Sequence, residues 1–229
     1  LLIGSAAVLL AAATGLTFAV RRPPREQHAA LAAGPRLWRD PAFLLGLGPV
    51  TGLGFLLGVV EIAAIAAVLA DRHPSLVGIP SALVSGGSVV GGLLYGRHTW
   101  PGSVTRRACA LTAGSAVLVA AAGAAAHAFI PMVALLALAG LCISPAFVCS
   151  YLIADLAAPW GGAEATSWVN GAFNVSLAGG YVVAGTLIDA WSPGWTMAAG
   201  ALLSAGVVLA STRGRVRAGA ERAPGRQAG

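Results

Sequence analysis

Hydrophobic positions in this chain fall in long runs, with polar residues gathered between them. Seven runs stand out, at residues 1–20, 42–70, 76–96, 108–126, 132–154, 167–188 and 196–210. A helix needs about 20 apolar residues to cross a ~30 Å hydrocarbon core. The runs therefore predict an all-α integral membrane protein with seven spanning helices, the last reaching full length only by borrowing from its flanks. Only His127 to Pro131 separate the fourth run from the fifth.

The polar connections are one-sided in charge. All 14 basic residues are arginine. Numbered from the first run, the odd connections and the tail hold thirteen of them, and the even connections hold only Arg72. Short basic connections stay on the cytoplasmic side. Residues 21–40, residues 97–107 and the tail are thus predicted to be cytoplasmic, in a multi-pass protein of the cell membrane. A missed span would scramble this alternation, so it also supports the span count. Trp38, Trp100, Trp160, Trp191 and Trp195 fall outside the runs or at their ends, and Trp168 just inside one, where indole rings meet lipid headgroups.

Domain organisation follows. Residues 21–41 form a basic linker in which Pro23-Pro24 ends any helix leaving the first run. Residues 42–212 read as a compact six-helix block. Residues 213–229 read as a basic tail, disordered or lying on anionic headgroups. The chain opens on Leu-Leu-Ile, inside an apolar run and without the basic region of a signal peptide. The expectation is that residue 1 is not the biological start. Glycines recur four apart, at Gly48 and Gly52, Gly54 and Gly58, Gly87 and Gly91, and Gly92 and Gly96. Small residues at that spacing let helix backbones approach closely in lipid.

Composition sharpens this by exclusion. The chain has 229 residues, 57% hydrophobic and 10% charged, with mean hydropathy +0.81. Soluble domains carry about 25% charged residues. The net charge of +6 sits between apolar runs, which suits a bilayer and gives no reason to expect nucleic acid. Cys109, Cys142 and Cys149 lie in or beside apolar runs without metal-ligand spacing and read as small apolar residues. No metal or cofactor is expected. No HExxH, Walker loop or GxSxG occurs, no histidine lies mid-run, and the chain has no lysine for a retinal Schiff base. An enzyme is not expected.

One residue breaks the apolar rule. In LLGVVEIAAIAAV, residues 56–68, Glu61 is the sole polar side chain. Ten residues before Asp71, it lies about 15 Å deep at 1.5 Å per residue, too deep for its short side chain to reach the surface. A charge there costs at least ~2.5–3.5 kcal/mol, and such residues face a bundle interior or a wet cavity. Glu61 is thus a candidate to carry a proton or meet a cationic substrate; the other reading is a neutral carboxyl bonded to a neighbouring helix. In the sixth run Ser167, Asn170, Asn174 and Tyr181 share one helical face, as interhelical bonds or as a cavity wall. The fifth run has Ser144, Pro145 and Tyr151, and Pro145 is expected to kink the helix beside a cavity. Asp155, Glu164, Asp189, His73, His98 and His127 fall at run ends, as capping or anchoring groups.

At GGLLYGRHTWPGSVTRR, residues 91–107, the chain resembles the loop motif of the major facilitator superfamily, in its weaker second copy. Gly92, Gly96, Arg97, Gly102, Arg106 and Arg107 carry the likeness; Tyr95-Gly96 stands where the stronger copy has an acidic residue. A long basic loop before six spans, a Glu in the first of these, G-x-x-x-S-P at 140–145 and G-x-x-I-D at 185–189 agree with it. The resemblance implies that residues 1–20 are the sixth of twelve spans and residues 42–210 the C-terminal half, built of two inverted three-span repeats. It implies alternating access about a midplane site, partnered by an N-terminal half that precedes this chain. Loop 97–107 is then a latch, and the exporters of drugs and metabolites are the nearest likeness. The expectation is a proton-coupled exporter of small organic molecules, with Glu61 as the coupling residue. An importer of sugars or metabolites would share these features, and a non-transporting receptor or assembly subunit could be built on the same spans.

Overall fold

The computed structural model describes residues 37–71, 74–158 and 162–222, with backbone alone from residue 216 on. The first apolar run, most of the basic linker, Arg72, His73, Trp160 and the end of the tail lie outside the described residues. The helices are α1 (Pro41–Gly46), α2 (Gly48–Ala70), α3 (Ile79–Gly96), α4 (Val104–Ala124), α5 (Phe129–Ala157), α6 (Gly162–Ala190) and α7 (Pro193–Arg222), with 3-10 turns at Leu37–Arg39 and Pro74–Leu76. The six helices from α2 to α7 are long and apolar enough to cross a membrane. No strand occurs among the described residues.

Local chemistry sets the ends. Asp40 caps α1 by accepting from the Ala42 N–H at 3.0 Å, and Ser103 caps α4 by accepting from the Arg106 N–H at 3.3 Å. Gly102, at φ +89°, supplies the left-handed turn before that cap. Run 42–70 is not one helix, as its apolar continuity suggested. It breaks at Leu47, whose N–H closes back on the Leu44 carbonyl at 3.1 Å, and α2 restarts with Pro49 in its first turn. Pro49 brings no N–H and its ring crowds the carbonyl four residues back, so one helix cannot run through it. The seventh run extends at both ends, and residues 213–222 are helical rather than disordered; the next proline after Pro193 is Pro224.

The bundle repeats itself. α2 packs most closely on α6, and α3 on α5; α4 packs on α5 and α7, and α7 also on α2. Exchanging α2 with α5, α3 with α6 and α4 with α7 leaves this pattern unchanged. Consecutive spans run antiparallel, so the two three-helix sets are inverted. The correspondence reaches single atoms. A Cβ on Gly58 would strike the carbonyl oxygen of Leu177, three residues before Gly180, and one on Gly180 that of Phe55, three before Gly58. At the other crossing a Cβ on Gly87 would strike Ala137 O, three before Gly140, and one on Gly140 would strike Val84 O, three before Gly87. Each α-carbon thus lies against a partner's carbonyl, the Cα–H···O arrangement of tight helix pairs.

The main core fills the space between α2, α4, α5 and α7, around Leu56, Val119, Met132, Leu136 and Met197. Only 17% of the α3 and α6 spans is buried, against 56% of α2 and 44% of α5. These two outer helices therefore each hold by one seam and present the rest of their surface outward. Pro145 sits inside α5, which continues through it. The carbonyl Pro145 deprives of a donor, that of Leu141, lies against Gly91 of α3, so the proline and the glycine seam are matched.

Gly58→Ala or Gly87→Ala is expected to lower stability at the upper end of the ~1–3 kcal/mol typical of overpacking, because the struck atoms are backbone and cannot turn aside. Gly86→Ala and Gly179→Ala, with open space at the new methyl, should be neutral or stabilise slightly. Thermal unfolding of the four variants in nanodiscs, followed by tryptophan emission, separates the two pairs.

Candidate functional site

The crossing glycines decide which side chains meet. Tyr181 follows Gly180 on α6, and Glu61 lies three residues past Gly58 on α2. The seam therefore sets the Tyr181 hydroxyl on the Glu61 carboxylate, where it donates a short hydrogen bond to Oε2. Glu61 is the fourteenth of the 23 residues of α2, about 20 Å from its start, so the pair sits near mid-span. Both residues are half-buried. The twofold counterparts of Tyr181 and Glu61 are Ser88 and Ile143. The second crossing thus has an isoleucine where the first has its carboxylate, and the polar pair exists on one side alone.

The two crossings share a cavity of about 210 Å³ between α2, α3 and α5. Glu61 lines it from α2, Ile143 from α5, and Ser81, Ser85 and Ser88 from α3. The serines were not expected in a site. Their spacing of four and three in a helix otherwise apolar or glycine was the available signal. Glu61 thus stands between a phenol on one side and a hydroxyl-bearing cavity on the other.

The polar face predicted for α6 is present and outward. Ser167, Asn170 and Asn174 are exposed. Their side chains turn back on their own helix: Ser167 Oγ donates to Ala163 O at 2.9 Å, Asn170 Nδ2 to Thr166 O at 3.1 Å and Asn174 Nδ2 to Asn170 O at 2.8 Å. Tyr151 of α5 reaches this face and donates to Asn170 Oδ1 at 2.8 Å. Phe147 lies beside it, edge-on to Phe173 with ring centres 4.6 Å apart. Ser144 and Pro145 are placed elsewhere. Ser144 packs against Gly92 of α3 in the α3–α5 seam, and Pro145 is buried within α5.

The loop motif folds around a tyrosine. Arg107 Nη1 donates to Tyr95 Oη at 2.8 Å, and that hydroxyl lies 3.0 Å from Cys149 Sγ on α5. Trp100 stacks on the Tyr95 ring at 5.3 Å and donates from Nε1 to the Tyr95 carbonyl at 3.0 Å. Tyr95 is therefore the acceptor for Arg107. Gly96 faces open space, and Arg97 and Arg106 are exposed. At the same end Arg215 of α7 donates from Nη1 to Thr105 Oγ1 at 2.9 Å. The arginine-bearing ends of α3, α4 and α7 are thus knit together by neutral acceptors. Among the described residues no trio of His, Cys, Asp or Glu is placed to hold a metal ion.

No protein family, no characterised protein and no solved structure matches this chain.

Tyr181→Phe is expected to leave Glu61 without its donor. The carboxyl stretching band of Glu61, assigned by infrared difference against Glu61→Gln, should then shift, with a stability loss of about 1–3 kcal/mol. An unshifted band would show that the pair does not form in the bilayer.

Proposed function

We propose that this chain is the six-helix half of a secondary active transporter of small organic molecules, most simply a proton-coupled exporter of the major facilitator type. The observation that carries the reading is the Glu61–Tyr181 pair. A carboxyl group is retained mid-span, as the sole charged side chain of its helix, at a crossing whose twofold counterpart has none. Structure alone does not require it, since the second crossing closes with Ile143. A mid-span carboxyl that can gain and lose a proton, with a phenol donating a hydrogen bond to it and a cavity at its side, is the arrangement a coupled carrier uses. Two inverted three-helix sets support the same reading, because carriers bind substrate between such repeats near the midplane.

The outward face of α6, with Asn170 and Asn174 and with Tyr151 of α5 bonded to it, would wall the pathway and face an N-terminal half of the transporter. The Tyr95–Arg107 loop would act as the latch at the arginine-rich end, which charge bias assigns to the cytoplasm of a cell-membrane protein. An importer built on the same helices differs only in the direction of net movement.

The test is transport in proteoliposomes containing the full-length protein. An imposed proton gradient is expected to drive accumulation of members of a panel of organic cations and neutral metabolites. Glu61→Gln should abolish gradient-driven movement while leaving counterflow exchange measurable. Equal gradient-driven movement by wild type and Glu61→Gln would remove Glu61 from coupling.

A further inference from the structure

A second cavity, larger than the one beside Glu61, lies at the end of the bundle opposite the arginine cluster. It encloses about 510 Å³ between the end of α2, the end of α4 and the start of α7. This is the size of a small-molecule site. Its walls are small residues, among them Ala67, Ala120, Gly123 and Ala198, and its polar groups converge from three sides: Asp71, His127 and Ser192, with Trp195 at the rim. The space exists because Gly123 and Gly194 each face the other's carbonyl, so α4 and α7 meet backbone to backbone and no side chain fills the wedge beside them.

The electrostatics of this wedge favour positive charge. Two helix C-termini, those of α2 at Ala70 and α4 at Ala124, end at its wall, against one N-terminus, that of α7. The last carbonyls of a helix lack donors, and that end carries partial negative charge. Asp71 adds a full carboxylate that is exposed and makes no side-chain hydrogen bond or ion pair with any described residue. The Trp195 ring, 69% exposed, offers a face for a cation. No arginine lies among the described lining residues.

We propose that this cavity is a binding site for small organic cations with an apolar body, distinct from the mid-span carboxyl. Asp71 and the two helix ends would neutralise the charge, Trp195 would cover it, and the alanine wall would take the apolar part. Asp71, the residue that ends α2, lies ten residues beyond Glu61, about 15 Å away along the axis, so the two sites can be emptied separately.

The test is equilibrium binding of radiolabelled benzyltrimethylammonium to the protein in nanodiscs. Asp71→Asn is expected to weaken binding at least tenfold and Trp195→Leu several-fold. Ala124→Phe, which fills the wedge, should abolish it, and Glu61→Gln should leave it unchanged. The uncharged isostere, in which carbon replaces nitrogen, should not compete. Asp71→Asn is a surface change, so its folding is not in question. The proposal is overturned if the wild type does not bind the probe, if Asp71→Asn binds as the wild type does, if the neutral isostere competes equally, or if Glu61→Gln alone removes binding. Failure here leaves the coupling reading of Glu61 intact, since that rests on gradient-driven transport.

Discussion

Backbone contact between helices is the constraint from which the rest of this bundle follows. In lipid, apolar side chains gain little by leaving one apolar neighbour for another, so helices associate through close packing and the few polar bonds they can make. Here α2 meets α6, and α3 meets α5, with glycine on both sides and each α-carbon against a carbonyl of the partner. Such seams leave no freedom of register. A shift of one residue would drive a side chain into backbone. That is why two outer helices, mostly uncovered on their other faces, can still be held in single positions.

Register in turn decides chemistry. The residue after the outer glycine and the residue three past the inner glycine are the corresponding positions at each crossing. At one crossing they are Tyr181 and Glu61, bonded to each other; at the other they are Ser88 and Ile143, beside the same cavity. A near-symmetric scaffold thus carries an asymmetric polar centre. The scaffold explains why the pair is held where it is, and the departure from symmetry is what argues for a function. The same geometry places Ser144 in a seam, where the Leu141 carbonyl that Pro145 leaves without a donor lies against Gly91.

The arginine end shows how charge is accommodated without opposite charge. Arg107 is received by a tyrosine hydroxyl and Arg215 by a threonine hydroxyl. Neutral acceptors hold an arginine in place without the full desolvation cost of a buried ion pair.

Much of this was legible from the order of residues alone. Six of the seven predicted spans fall on helices within the described residues, because a bilayer demands about 20 apolar residues in a row and nothing in the rest of the fold can alter that demand. Glu61 stood out for the same reason, as one carboxylate in a stretch that had to be apolar. The spacing of glycines announced close seams, and the spacing of Ser167, Asn170, Asn174 and Tyr181 announced a polar face, since both are properties of a single helix. Tertiary structure alone decided what those features meet. It broke run 42–70 at Leu47 and chose Tyr181 as the partner of Glu61 across 120 residues. It lined the cavity with Ser81, Ser85 and Ser88, and opened a wedge beside Gly123 and Gly194 that no local pattern signals. Helical periodicity fixes which face a residue is on, but which helix covers that face depends on contacts between distant parts of the chain.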